Sequence, residues 1–221
     1  MTWEAYIAQW STLHGGFDPD QASPFVRGWL RIAYTLGRVF ARVRVTPMAL
    51  TAAGLILNVA AIGAAAAGGG WPAIAALFVV LGAVADSVDG AVAVLTERTT
   101  RLGYLYDSLA NRVAELCWLV AFWVLGAPTW VLVICGGLAW LHEYIRARAT
   151  AVGLTEVGAM TVGESVGRIS ITVVGLLLAG AAGLISRGLA AGTVTIAAVV
   201  WVFLGAFGLF QLLSGVRKSL R

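Results

Sequence analysis

The sequence predicts an all-α integral membrane protein: six transmembrane helices preceded by an N-terminal amphipathic interfacial helix, with both termini cytoplasmic. Three observations carry this prediction. Hydrophobic residues make up 60% of the 221 residues and charged residues 12%, about half the charged share of a water-soluble domain. Six apolar segments reach the ~20 residues that a spanning helix needs. The basic residues collect at one end of those segments. The same apolar content excludes a disordered chain.

The spans are expected, in order, at Pro47–Ala67, Trp71–Glu97, Arg101–Leu125, Pro128–Thr150, Val162–Leu184 and Thr193–Leu213. Thr46-Pro47 supplies a helix-start signal for the first. Arg98 and Arg101 fall between spans two and three, Arg146, Arg148 and Arg168 flank the turn between four and five, and Arg217, Lys218 and Arg221 follow the sixth. The opposite loops, Gly68-Gly69-Gly70 and Gly126-Ala127-Pro128, are uncharged, and the third has Arg187. Positive charge prefers the cytoplasmic side, so this pattern orients the chain as a multi-pass protein of the cell membrane. The basic excess is thereby accounted for, and no nucleic-acid partner is expected. Cys117 and Cys135 sit in apolar runs and read as small buried hydrophobes.

Residues 1–44 form a separate N-terminal segment, and 45–221 form the membrane domain. Residues 1–23 contain Glu4, Asp18 and Asp20 and no signal-peptide core; no role follows for them or for His14. Over residues 25–44, Arg27, Arg31, Arg38 and Arg42 share one helical stripe, with Phe25, Trp29, Ile32, Leu36, Val39 and Phe40 supplying apolar surface. This predicts a helix lying on the inner leaflet, its arginines toward lipid phosphates.

Acids inside the spans cost about 2.5–3.5 kcal/mol each, yet span two has Asp86 and Asp89, and span three has Asp107 and Glu115. At about 100° per residue, Asp86, Asp89, Gly90, Ala93 and Glu97 share an arc of roughly 100°, and Gly103, Asp107 and Asn111 share a face of the next helix. Along the helix axes, Asp89 lies about 12 Å from Glu97, and Asp107 about 9 Å from Arg101. The two polar faces can meet near the cytoplasmic surface, where three carboxylates repel unless a cation joins them. Oxygen donors without His or Cys favour a hard ion, Mg²⁺ or Mn²⁺. Pairing of the acids with Arg98, Arg101 or Arg112 is the alternative. Gly90 and Ala93 leave room for a flat or phosphorylated ligand.

The run Asp86-Ser87-Val88-Asp89-Gly90-Ala91-Val92-Ala93-Val94, then Gly103-Tyr104-Leu105-Tyr106-Asp107-Ser108-Leu109-Ala110-Asn111, resembles the signature of the CDP-alcohol phosphotransferase family, D-x-x-D-G-x-x-A-R-(x7–8)-G-x-x-x-D-x-x-x-D. Val94 replaces the signature arginine and Asn111 its last aspartate. Val45-Thr46-Pro47-Met48-Ala49-Leu50-Thr51 is similar to the family's Pro-Asn-x-x-Thr run, with Met48 for Asn. The resemblance implies transfer of a phosphatidyl group from a CDP-alcohol, such as CDP-diacylglycerol, to a small hydroxyl acceptor with release of CMP. It implies Asp86, Asp89, Asp107 and Asn111 as metal ligands and Thr51, Asp86, Gly90, Ala93 and Gly103 around the nucleotide. It also implies a site facing the cytoplasm and a homodimer among membrane lipids. Asn111 stands at the base position and cannot take a proton; Glu115, one turn on, or Glu97 could substitute.

Tyr144-Ile145-Arg146-Ala147-Arg148-Ala149, followed by Glu164 and Arg168, looks like the actinobacterial phosphatidylinositol-phosphate synthase branch. That implies Arg146, Arg148 and Arg168 for an acceptor such as inositol phosphate, although Ser165 replaces one arginine of the branch. Gly163 and Gly167 suggest close helix packing, and His142 reads as a satisfied polar residue. Two other readings stay open. A catalytically impaired relative could bind nucleotide-lipid or scaffold a partner, and a transporter would use the acids as a path.

Overall fold

The structure is a computed structural model, and it describes residues 1–13, 24–154 and 165–220. Among the described residues every regular element is a helix: α1 Trp3–Leu13, α2 Pro24–Arg42, α3 Pro47–Ala67, α4 Pro72–Leu95, α5 Arg101–Val124, α6 Thr129–Ala151, α7 Ser165–Gly183 and α8 Arg187–Ser219. Four of them, α3, α4, α7 and α8, are long and apolar enough to cross a membrane. Helices α5 and α6 match them in length, but Arg101, Asp107, Arg112 and Glu115 on one and Glu143, Arg146 and Arg148 on the other lower their hydropathy. The start expected for the fifth span, Gly163, Glu164, His14 and Arg221 lie outside the described residues.

The helix ends follow from local chemistry. The Thr46 hydroxyl accepts a hydrogen bond from the Ala49 N–H at 3.3 Å, with Pro47 opening α3, so the expected start signal acts as a cap. The Gly103 N–H donates to the Thr100 hydroxyl at 2.9 Å at the start of α5. Ser186 caps α8 by accepting from the Leu189 N–H at 3.2 Å. That cap starts α8 several residues before the expected Thr193, with Arg187 in its first turn, and the helix runs on to Ser219. Helices α2 and α4 end on Arg44 and Glu97, both in the left-handed region at φ 59° and 55°. The Val45 N–H returns to the Phe40 carbonyl and the Arg98 N–H to the Ala93 carbonyl, which is the Schellman pattern usually closed by glycine.

Two compact units divide the chain: Met1–Ile56 with Leu81–Asn111, and Leu57–Val80 with Arg112–Arg221. In the first, α1 docks on α2, an element the sequence reading left unassigned. Trp3 and Tyr6 pack on Tyr34 with ring centroids 5.3 and 5.1 Å apart, and the Tyr34 hydroxyl donates to the Met1 carbonyl at 3.0 Å. Arg31 lies over the Trp3 ring and Arg38 over the Tyr34 ring, each at 5.6 Å. Two of the four stripe arginines thus cover aromatic rings as well as facing outward.

In the second unit, α8 packs along α6 and α7 around a core that includes Phe122, Leu176, Val194 and Trp201. Trp118 donates to the Asn58 carboxamide oxygen at 2.5 Å, satisfying a buried polar pair. Cys117 and Cys135 are both buried free thiols. Gly183 meets the Gly69 carbonyl, which leaves no room for a Cβ there, so the end of α7 and the glycine loop approach through bare backbone.

Candidate functional site

Helix α4 presents Asp86 and Asp89, and α5 presents Asp107. One carboxylate oxygen from each lies within 4.8 Å of the other two. Asp89 is buried, at 5% exposure, while Asp86 and Asp107 are half-buried. Thr51 on α3 donates its hydroxyl to Asp89 Oδ2 and also bonds the Pro47 carbonyl at 3.2 Å. Asn111 Nδ2 donates to Asp107 Oδ1 at 3.4 Å. Asn111 therefore stands beside the third acid, one helical turn along.

Among the described residues none of the three aspartates pairs with an arginine; Arg112 is bonded to Glu115 instead. Three carboxylates this close, in a region short of water, repel strongly. An all-oxygen donor set that lacks a fixed cation suits a hard divalent ion. The alternative in which arginines neutralise the acids is not what the side chains do.

Residues 44–207 match the family described as CDP-alcohol phosphatidyltransferase. The chain belongs to this family. An archaetidylinositol phosphate synthase of Aeropyrum pernix is 30% identical over 130 residues, which cover 56% of this chain and 63% of that relative, just under two thirds of its length. The crystal structure of Mycobacterium tuberculosis phosphatidylinositol phosphate synthase with CDP-DAG bound is 25% identical, with a TM-score of 0.63, covering 84% of this chain and 94% of that one. The structure of the same synthase with manganese and citrate is 23% identical, with a TM-score of 0.64 over 83% of this chain and 88% of that one; that likeness is one of fold.

In this family member both signature glycines are exposed. Gly90 is exposed, with no heavy atom within 4 Å of a Cβ built on it, and Ala93 beside it is half-buried. Gly103 is exposed, and a Cβ there would lie 3.0 Å from the capping Thr100 hydroxyl. Val94 has a reason of its own. It is buried with Tyr6, Ala33, Tyr34 and Ala91 in the cluster that seats α1, where an arginine's charge would be desolvated. Met48 is exposed at 57%.

Two of the expected site residues share an ion-pair network. Glu115, considered as a substitute base, is 2% exposed, with Oε2 2.7 Å from Arg112 and Oε1 2.7 Å from Arg168. Both its oxygens are engaged as a counterion. Arg168, expected to receive the acceptor, is itself buried against Glu115, so its charge is already compensated. Arg146 is half-buried and Arg148 exposed on α6, and His142 is buried. The reading of the sequence missed Ser87, which lies between the two α4 acids and accepts a hydrogen bond from Trp29 at 2.8 Å. A serine at a variable position of the signature, with an indole donor on the preceding amphipathic helix, was the available signal.

Proposed function

We propose that the chain transfers a phosphatidyl group from CDP-diacylglycerol, or another CDP-alcohol, to a hydroxyl acceptor in phospholipid synthesis. One observation carries the reading: the family signature folds so that Asp86, Asp89 and Asp107 meet with no arginine counterion among the described residues. A divalent cation, Mg²⁺ or Mn²⁺, held by these three would neutralise the pyrophosphate charge. The manganese-bound relative supports that choice of ion.

The acceptor oxygen attacks the phosphorus that bears the diacylglycerol. The bond from that phosphorus to the CMP oxygen breaks, CMP leaves, and the acceptor's proton passes to solvent. Thr51 orients Asp89 through its hydroxyl, and Asn111 orients Asp107 through its amide. Gly90, Ala93 and Gly103 leave α4 and α5 open for the nucleotide. The names of the relatives support a polyol phosphate acceptor such as inositol phosphate, with Arg146 as the candidate for its phosphate. All six long helices, α3 to α8, span the membrane, with the acids at the cytoplasmic end.

The test is CMP release from CDP-diacylglycerol by the purified full chain, with Mg²⁺ or Mn²⁺ and a panel of polyol phosphates. Release with one of them is expected. A second reading, a relative that binds CDP-lipid without turning it over, rests on Asn111. It predicts CDP-diacylglycerol binding with no CMP release until Asn111→Asp is introduced.

A further inference from the structure

We infer that Trp29 is a positioning residue of the acid site: its indole N–H, bonded to the Ser87 hydroxyl, fixes the rotation of α4 that brings Asp86 and Asp89 to Asp107. The inference rests on the proposed metal-dependent transfer and adds to it a control element outside the signature's ligands. The distance is 2.8 Å, and both residues are half-buried.

The packing around this bond explains its importance. Helix α2 backs the second half of α4, from Ser87 to Leu95. Gly37 lies so close that a Cβ on it would be 3.0 Å from the Ala91 Cβ and 3.2 Å from Leu95. Leu36 and Phe40 pack on the cluster of Val88 and Val92. At about 100° per residue, Ser87, Val88, Ala91, Val92 and Leu95 form the face of α4 opposite to Asp86, Asp89, Gly90 and Ala93. Apolar contact is non-directional, so this seam fixes the spacing of α2 and α4 more sharply than their fine rotation. A hydrogen bond is directional. Ser87 stands at the border between the backed face and the acid face, and its hydroxyl also donates to the Ala83 carbonyl at 3.1 Å. The Trp29–Ser87 bond therefore indexes the rotation. Thr51 indexes Asp89 from α3, so the acid pair is held from two helices.

The experiment is Mn²⁺ binding by the detergent-solubilised full chain, followed by electron paramagnetic resonance, with thermal unfolding recorded beside it. Trp29→Phe keeps the ring and removes the donor, and Ser87→Ala removes the acceptor. Each is expected to weaken Mn²⁺ binding about three- to tenfold, the worth of one hydrogen bond, and the double variant to be no weaker than either. Ser87→Thr, which keeps a hydroxyl, should bind like the unaltered chain. Mn²⁺ binding by Trp29→Phe at unaltered affinity, or additive losses in the double variant, would overturn the inference and leave the proposed function standing. Failure of the unaltered chain to bind Mn²⁺ would overturn both. If Trp29→Phe does not fold, Ser87→Ala against Ser87→Thr reads the same bond from the other side, and equal affinities there overturn it.

Discussion

Asn111 is the residue at which the proposed turnover is most open to test. An amide can bond Asp107 and offer a carbonyl oxygen to a cation, but it takes no proton near neutral pH. Loss of a general base costs about 10²–10⁴ in rate, so Asn111→Asp should raise CMP release by about that factor at saturating substrate. An unchanged rate would show that proton removal is not limiting. Glu115 makes the opposite case. Glu115→Gln would take from buried Arg168 and half-buried Arg112 the carboxylate they share, costing about 3–5 kcal/mol, visible as a lowered unfolding temperature. The three aspartates were legible in the sequence because helical periodicity alone places them on facing sides of two consecutive helices. The Glu115–Arg168 pair was not, because α7 lies far from α5 in the chain and no local spacing joins them.

At the scale of elements, the apolar lengths of α3 to α6 marked their helices to within a few residues, and Thr46 marked one cap. The extent of α8 was underestimated because its polar ends, Ser186 to Gly192 and Ser214 to Ser219, lie outside the apolar window while still satisfying helical hydrogen bonds. Helix α1 was overlooked although Trp3, Tyr6, Ile7 and Trp10 have three- and four-residue spacing. A short helix gains little from its own propensity, and the Tyr34 and Val94 surface that stabilises α1 is invisible locally. The departure at Val94 becomes intelligible at this scale, since the signature arginine gives way to a helix–helix seam. The approach of α7 to the glycine loop gives a further prediction. Gly183→Ala places a methyl against the Gly69 backbone and should destabilise the chain by about 1–3 kcal/mol, while Gly192→Ala, where a Cβ meets nothing within 4 Å, should not lower the unfolding temperature.

For the whole molecule, the proposed orientation rests on where the positive charges fall. Arg98 and Arg101 follow α4 and begin α5, and Arg217 and Lys218 end α8. Cysteines introduced at Thr99 and at Gly69 should be labelled by a membrane-impermeant thiol reagent from opposite sides, Thr99 from the cytoplasm. Labelling of both from one side would refute the alternation of spans on which the cytoplasmic placement of the acids depends. The proposed transfer from a CDP-lipid requires that Asp86, Asp89 and Asp107 together hold a divalent cation. The most direct test follows CMP release from CDP-diacylglycerol by Asn111→Asp, the variant that supplies the missing base, while divalent ions are stripped by chelation and then restored. The account predicts release that stops on chelation and returns with Mn²⁺, and that is abolished by Asp107→Ala. Release indifferent to the chelator, or to loss of Asp107, would contradict it.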